Sequence, residues 1–234
     1  MRPGVVLALV SASSFALLGL APAPGSVPLP AQMADTGGGS QLITAQADRA
    51  DSTSGTLTWW DLKEGQWVQA GTAPARFGAN GLVEGGSREQ GTNTTPTGLY
   101  GVPFGFGTKA APSGTSIEYR TVQETSWWCQ DNDSGSYNRW VDPLPGDCRA
   151  SESEHLVSYA TQYAYALVIG FNYEQPVRGR GAGIFLHVNG AGATAGCVSV
   201  PEDAMERILR WVDPRKRPHM AMGTASGTTA VTRY

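Results

Sequence analysis

The chain is short of charge. Asp, Glu, Lys and Arg together make up 16% of its 234 residues, and the net charge is −3. Without a basic excess there is no field to draw in nucleic acid. Cysteine is scarce as well, with only Cys129, Cys148 and Cys197. These three with His155 show none of the usual zinc-ligand spacings, so no metal is expected. One long apolar run exists, Val5 to Leu20, and it is too short and too rich in Ser and Ala for a comfortable membrane span. No Cys lies near it, which argues against a lipid-modified anchor, so no stable membrane anchor is expected.

Glycine, serine, threonine and aromatic residues are plentiful, which suits a mostly β extracellular protein. Met1-Arg2, the apolar run and Ala21-Pro22-Ala23-Pro24 read as a secretory leader, with small residues around both Ala21 and Ala34 as cleavage candidates. Residues 1–34 are assigned to the leader and 35–55 (DTGGGSQLITAQADRADSTSG) to a disordered tether. Residues 56–234 are long enough for one domain with its own core, expected as a monomer.

An odd cysteine count in an oxidising compartment leaves one thiol over. Cys129 and Cys148 bracket a polar, Gly-containing segment that suits a disulfide loop, worth about 3 kcal/mol in the chain-entropy model. Cys197 is then the free thiol, although a pairing of Cys197 with either of the others competes.

Thr56–Trp60 and Trp67–Ala70, joined by Lys63-Glu64-Gly65-Gln66, form a hairpin. Gly78 to Gly107 alternates short apolar pieces with turns, and Asn93-Thr94-Thr95 reads as a bare turn despite matching a glycosylation acceptor. Ile117–Val122 alternates as a strand. Glu154–Val157 suits the start of a short helix, and Ala166–Tyr173, the most apolar strand, suits a central place in the sheet. After Val200, Met205, Ile208, Leu209 and Val212 mark one helical face that ends at Asp213-Pro214, and Ser199 with Glu202 suggests a capping box. His219 to Tyr234 suits an edge strand.

The stretch Ile184–Pro201 (IFLHVNGAGATAGCVSVP) brings these features to one place. A buried strand delivers His187, a small-residue loop follows, and Cys197 opens a second apolar run. A loop of this kind can bring an imidazole and a thiol to one rim of a sheet. The thiolate is the nucleophile and is scarce at neutral pH, so a neighbouring imidazole that takes its proton activates it. Gly196 clears space for a substrate carbonyl, and the Gly196 and Cys197 amides are candidate oxyanion donors. The same residues also suit a buried structural Cys beside a core His. Gly190–Ala195 fits G-x-G-x-x-A after a strand, but Val198–Pro201 follows where a dinucleotide site needs a helix.

His187, the loop and Thr194-Ala195-Gly196-Cys197, together with Thr95-Pro96-Thr97-Gly98-Leu99-Tyr100 preceded by Glu89-Gln90-Gly91, resemble the L,D-transpeptidase catalytic domain family (YkuD type). The resemblance covers roughly Gly78 to Val212. Ala195 stands where the family signature has a second His, and ten residues separate His187 from Cys197, fewer than in the best-known members. Trp128-Cys129, Tyr137-Asn138 and Glu154 resemble the branch with Thr-Ala-Gly-Cys. The resemblance implies a mixed β-sheet sandwich with one or two helices, the main one directly after the catalytic cysteine. It implies a secreted enzyme acting on peptidoglycan stem peptides, with Cys197 forming a thioester, His187 moving the proton, Thr194 and Gly196 shaping the site, and Trp128, Tyr137, Asn138 and Glu154 lining the cleft. An L,D-carboxypeptidase, another secreted thiol hydrolase and a non-catalytic wall-binding module are the alternatives.

Overall fold

The computed structural model describes residues 27–234. The expected leader falls mostly on residues 1–26, outside the described residues. Among the described residues, fourteen strands and one α-helix follow in chain order. They are β1 (Gln41–Ala47), β2 (Ser54–Lys63), β3 (Gln66–Arg76), β4 (Leu82–Glu84), β5 (Thr95–Gly101), β6 (Gly105–Gly107), β7 (Tyr119–Thr121), β8 (Trp127–Cys129), β9 (Arg139–Val141), β10 (Glu154–His155), β11 (Ala166–Val168), β12 (Phe185–Val188), β13 (Val198–Val200), α1 (Glu202–Trp211) and β14 (His219–Thr224). Eleven of the strands form one mixed sheet in the order β4-β5-β14-β1-β2-β3-β13-β12-β11-β6-β7, and β10-β8-β9 form a small antiparallel sheet. The mainly β class, and a single α-helix directly after the Cys197 strand, match the expectation from sequence.

The β2–β3 hairpin turns at Glu64 and Gly65, both at positive φ (51° and 77°). That geometry matches the right-handed twist of the flanking strands. In α1, Met205, Ile208 and Leu209 are fully buried, as is Val212 just beyond its end. The helix has Pro201 at its N-cap, with no side-chain cap. Ser199 lies inside β13 instead, and its hydroxyl bonds Asn189 Oδ1 (2.8 Å), so the expected capping box is absent.

Other expectations also need correction. The supposed tether contains β1, a buried strand that pairs with β2 on one side and, in parallel, with β14 on the other. Its Leu42, Ile43, Ala45 and Ala47 are fully buried because sheet covers both edges and core covers both faces. The folded body also begins before residue 34: Leu29 and Met33 pack on Leu42, Trp60, Ala221 and Val231, and the Ala34 amide donates to Thr232 O. Finally, the C-terminal strand β14 is interior, between β1 and β5, and not an edge. Glu154–Val157 splits between β10 and a 3₁₀ turn over Leu156–Tyr159. The apolar run at 166 is in regular strand only to Val168, between β12 and β6.

The core has two main parts on opposite faces of β12. Leu186 and Val188 join Val198, Val200 and the buried face of α1. Phe185 joins Phe106, Trp128, Tyr163 and Cys197, with its ring 5.0 Å from Phe106 and 4.8 Å from Trp128 between centroids. This two-residue alternation carries His187 onto the second face with Phe185.

Candidate active site

Strands β12 and β13 are parallel, with His187 opposite Ser199. A simple hairpin would have made them antiparallel. The Asn189–Cys197 loop instead travels back beside the end of β3: the Thr194 amide donates to Phe77 O (2.9 Å) and the Ala79 amide to Thr194 O (2.8 Å). Arg76 pins the loop through Gly190 O (2.7 Å). The return sets Cys197 two residues before the partner of His187, so both side chains project from the same face of the sheet. Strand rise and spacing place their Cα atoms about 8 Å apart.

Both residues line one cavity of about 220 Å³, together with Glu154, Tyr159, Gln162, Tyr163 and the loop residues Gly190–Ala195. A larger groove of about 860 Å³ lies between the β2–β3 hairpin and α1, but it contains neither cysteine nor histidine. The cysteine and histidine therefore meet at the smaller cavity.

His187 is 6% exposed, and its Nδ1 lies 2.7 Å from Val188 O. A carbonyl can only accept, so Nδ1 carries the hydrogen and Nε2 is left with its lone pair. The Tyr163 ring packs edge-on against the imidazole, 5.6 Å between centroids. A backbone carbonyl and an aromatic wall thus orient the imidazole without a second histidine. Burial pulls the imidazole down to about 4, against the Val188 carbonyl, so the ring is neutral at pH 7.

Cys197 is the free cysteine, since Cys129 and Cys148 are joined to each other. It is 7% exposed. Its Sγ donates to Gly183 O and accepts the Phe185 N–H, both at 3.4 Å. Burial pushes the thiol up to about 12, with the Glu154 charge adding to the rise, while the Phe185 amide and the Arg88 guanidinium oppose it. The resting pair is therefore a neutral thiol and a neutral imidazole.

Gly196 has φ +136°, and a Cβ there would lie 2.8 Å from Arg88 Nη2 and 2.9 Å from Thr94 O, so only glycine fits. Its amide, expected as an oxyanion donor, already donates to Thr194 Oγ1 (3.1 Å). Thr194 Oγ1 in turn donates to Cys197 O (2.6 Å). Thr194 and Gly196 thus shape the turn that presents the sulfur.

Of the four residues expected to line the cleft, only Glu154 borders the cavity. Trp128 is 1% exposed, packs on Phe185, and donates through Nε1 to Asn138 Oδ1 (2.9 Å). Asn138 also accepts the Gly183 amide (3.0 Å) and donates to Phe171 O and Asn172 O (3.2 and 2.6 Å). Since Gly183 O receives the thiol, Asn138 steadies the sulfur from one residue away. Tyr137 is buried, donating to Gln90 Oε1 (2.7 Å) and accepting the Gly181 amide (3.1 Å). These three lock the loop that holds Cys197 and do not face the cavity.

Sequence reasoning passed over Arg88, Tyr159, Gln162 and Tyr163. Arg88 is buried, donating to Thr94 O (2.8 Å) and Arg180 O (3.1 Å). It supplies a cation behind Gly196 that favours charge on the sulfur. It is a lone Arg in a Gly/Ser turn, and no spacing marks it. Tyr163 donates to Glu154 Oε2 (2.5 Å), and Gln130 donates to Glu154 Oε1 (2.7 Å).

The family model for the L,D-transpeptidase catalytic domain matches residues 49–228. No curated protein matches the chain. Similar solved structures include the Bdellovibrio bacteriovorus protein Bd1075, at 15% identity and a TM-score of 0.38, with 78% of this chain and 47% of that one covered. Another is Mycobacterium tuberculosis L,D-transpeptidase 1, at 14% identity and a TM-score of 0.34, with 79% and 62% covered. The chain thus spans less than two thirds of either structure. With 49–228 matched, well over half its length, the chain belongs to the L,D-transpeptidase catalytic domain family.

Proposed function

We propose that this is a secreted, cysteine-dependent L,D-transpeptidase that acts on peptidoglycan stem peptides. One observation carries the reading: Cys197 and His187 share a face and a cavity, and the Val188 carbonyl fixes the tautomer that leaves Nε2 as the base. Sγ attacks the carbonyl carbon of the diamino acid as its proton passes to Nε2. The tetrahedral oxyanion forms beside the Cys197 amide, because the Gly196 amide is spent on Thr194. Collapse breaks the amide bond, and the imidazolium protonates the departing D-amino acid. The thioester is then attacked by an amine of a second stem, or by water, whose proton returns through Nε2 as the sulfur leaves. Glu154 borders the substrate. Trp128, Tyr137 and Asn138 support the site from within the fold.

Cys197→Ala should abolish processing of isolated stem peptides while the circular dichroism spectrum and melting temperature stay close to wild type. Turnover retained by that folded variant refutes the proposal. The high position of the resting thiol favours a second reading, a wall-binding module without turnover. That reading expects wall binding unchanged by Cys197→Ala and no acyl adduct on the wild-type protein.

A further inference from the structure

Glu154 is a part-buried carboxylate whose two hydrogen-bond donors, Tyr163 and Gln130, are both neutral. Among the described residues it forms no ion pair. Burial raises the Glu154 carboxyl, against the Tyr163 and Gln130 hydrogen bonds, so its ionised form gains most when a cation arrives beside it. Its surroundings suit such a cation. Tyr159 and Tyr163 stand against each other (5.4 Å between centroids), and both line the cavity with Glu154, Gln162 and His187. Aromatic faces beside a carboxylate attract alkylammonium groups. A cavity of about 220 Å³ has room for an aminoalkyl chain.

We propose that Glu154, walled by Tyr159 and Tyr163, is the binding subsite for a primary ammonium group of the substrate. This rests on the stem-peptide reading above, and names the feature of the diamino acid that the site selects. Two sources share that chemistry: the side-chain amine of the donor residue under attack, and the amine of the acceptor stem. The cation would also act on the nucleophile. Glu154 is the charge that, after burial, most disfavours the Cys197 thiolate, and an ammonium on it cancels that effect when substrate arrives. The thiol is then less acidic in the empty enzyme than in the loaded one.

The test separates binding from turnover. In a Cys197→Ala background, NMR titration compares Nα-acetyl-lysine amide with its Nε-acetylated counterpart, following the amides of Gly190–Ala195. The free amine should bind about tenfold or more tightly than the acetylated one, and Glu154→Gln should bring that ratio close to one. Equal binding of the two probes, binding of neither, or a preference that survives Glu154→Gln overturns the proposal. The probe comparison within the unaltered pocket stands even if Glu154→Gln folds poorly. In the reactive protein, two further arms assign the source. Faster Cys197 acylation by a tetrapeptide with a free rather than acetylated side-chain amine assigns it to the donor. A higher acceptor KM in Glu154→Gln during thioester aminolysis assigns it to the acceptor. Dependence in neither arm overturns the proposal as it applies to catalysis. If the probes bind as expected but Cys197 is never acylated, the subsite stands and the transpeptidase reading falls.

Discussion

Alkylation of Cys197 by iodoacetamide should be slow at neutral pH and should climb steeply with alkalinity. Cys197 is 7% exposed, its sulfur rests against Gly183 O and the Phe185 amide, and burial pushes the thiol up to about 12. At pH 7 such a thiol is about one part in 10⁵ thiolate, against roughly 3% for an ordinary cysteine near 8.5, a deficit of about 3000-fold before access is considered. The rate should therefore rise about tenfold per pH unit from about pH 7 to about pH 10 without a plateau, since only the thiolate reacts. Two substitutions divide the causes. Glu154→Gln removes a nearby negative charge and should lower the apparent pKa, whereas Arg88→Met removes the opposing cation and should raise it. Mass spectrometry after timed quenching gives the rate at Cys197, and circular dichroism over the same range checks that the fold persists. A plateau at or below about pH 8 in the free protein would show a preformed thiolate and refute the neutral-pair description.

Gly196→Ala should destabilise the Cys197 turn by about 2 kcal/mol or more and abolish acylation, because φ is +136° and the Cβ would strike Thr94 O and Arg88 Nη2; denaturant melts and adduct formation check both halves. Trp128→Ala should cost about 3–5 kcal/mol in denaturant unfolding, as expected for a core ring and not for a cleft contact. Acid should weaken the disulfide-bonded segment. Asp131 has its carboxylate held low by Arg149, at 2.5 and 2.7 Å, so the stabilisation is present above the unfolded pKa of about 3.9 and fades as pH falls below it. Asp131→Asn should be less stable at pH 7 and should show a shallower loss of melting temperature between about pH 5 and about pH 2.

Local signals were readable in the sequence where the chain itself carries them. The Glu64-Gly65 turn between alternating runs forecasts its hairpin, and Met205, Ile208, Leu209 and Val212 forecast the buried face of α1. The polar loop between Cys129 and Cys148 suited a bridge while a pairing of either with Cys197 competed, and the structure joins Cys129 to Cys148 and leaves Cys197 free. What escaped is set by partners distant in sequence. Gln41–Ala47 reads as linker because Gly and Ser precede it and its polar residues interrupt any alternation; it becomes core only through β2 and β14. Thr194 docks on Phe77, and that contact makes the β12–β13 connection parallel, which no residue inside the loop announces. Trp128, Tyr137 and Asn138 look like cleft residues until their polar atoms are followed to Asn138, Gln90 and Gly183, all within the fold. Tyr163 reaches the site from a turn whose sequence suggests only packing.

The most direct test of the account is intact-protein mass spectrometry after brief incubation with a tetrapeptide stem at neutral pH. The account predicts an adduct equal to the stem peptide less its terminal D-amino acid, carried on the Cys197 peptide after digestion and released by added amine. It also predicts that Cys197→Ala shows no such adduct. No adduct on wild type, or one that persists in Cys197→Ala, would contradict it.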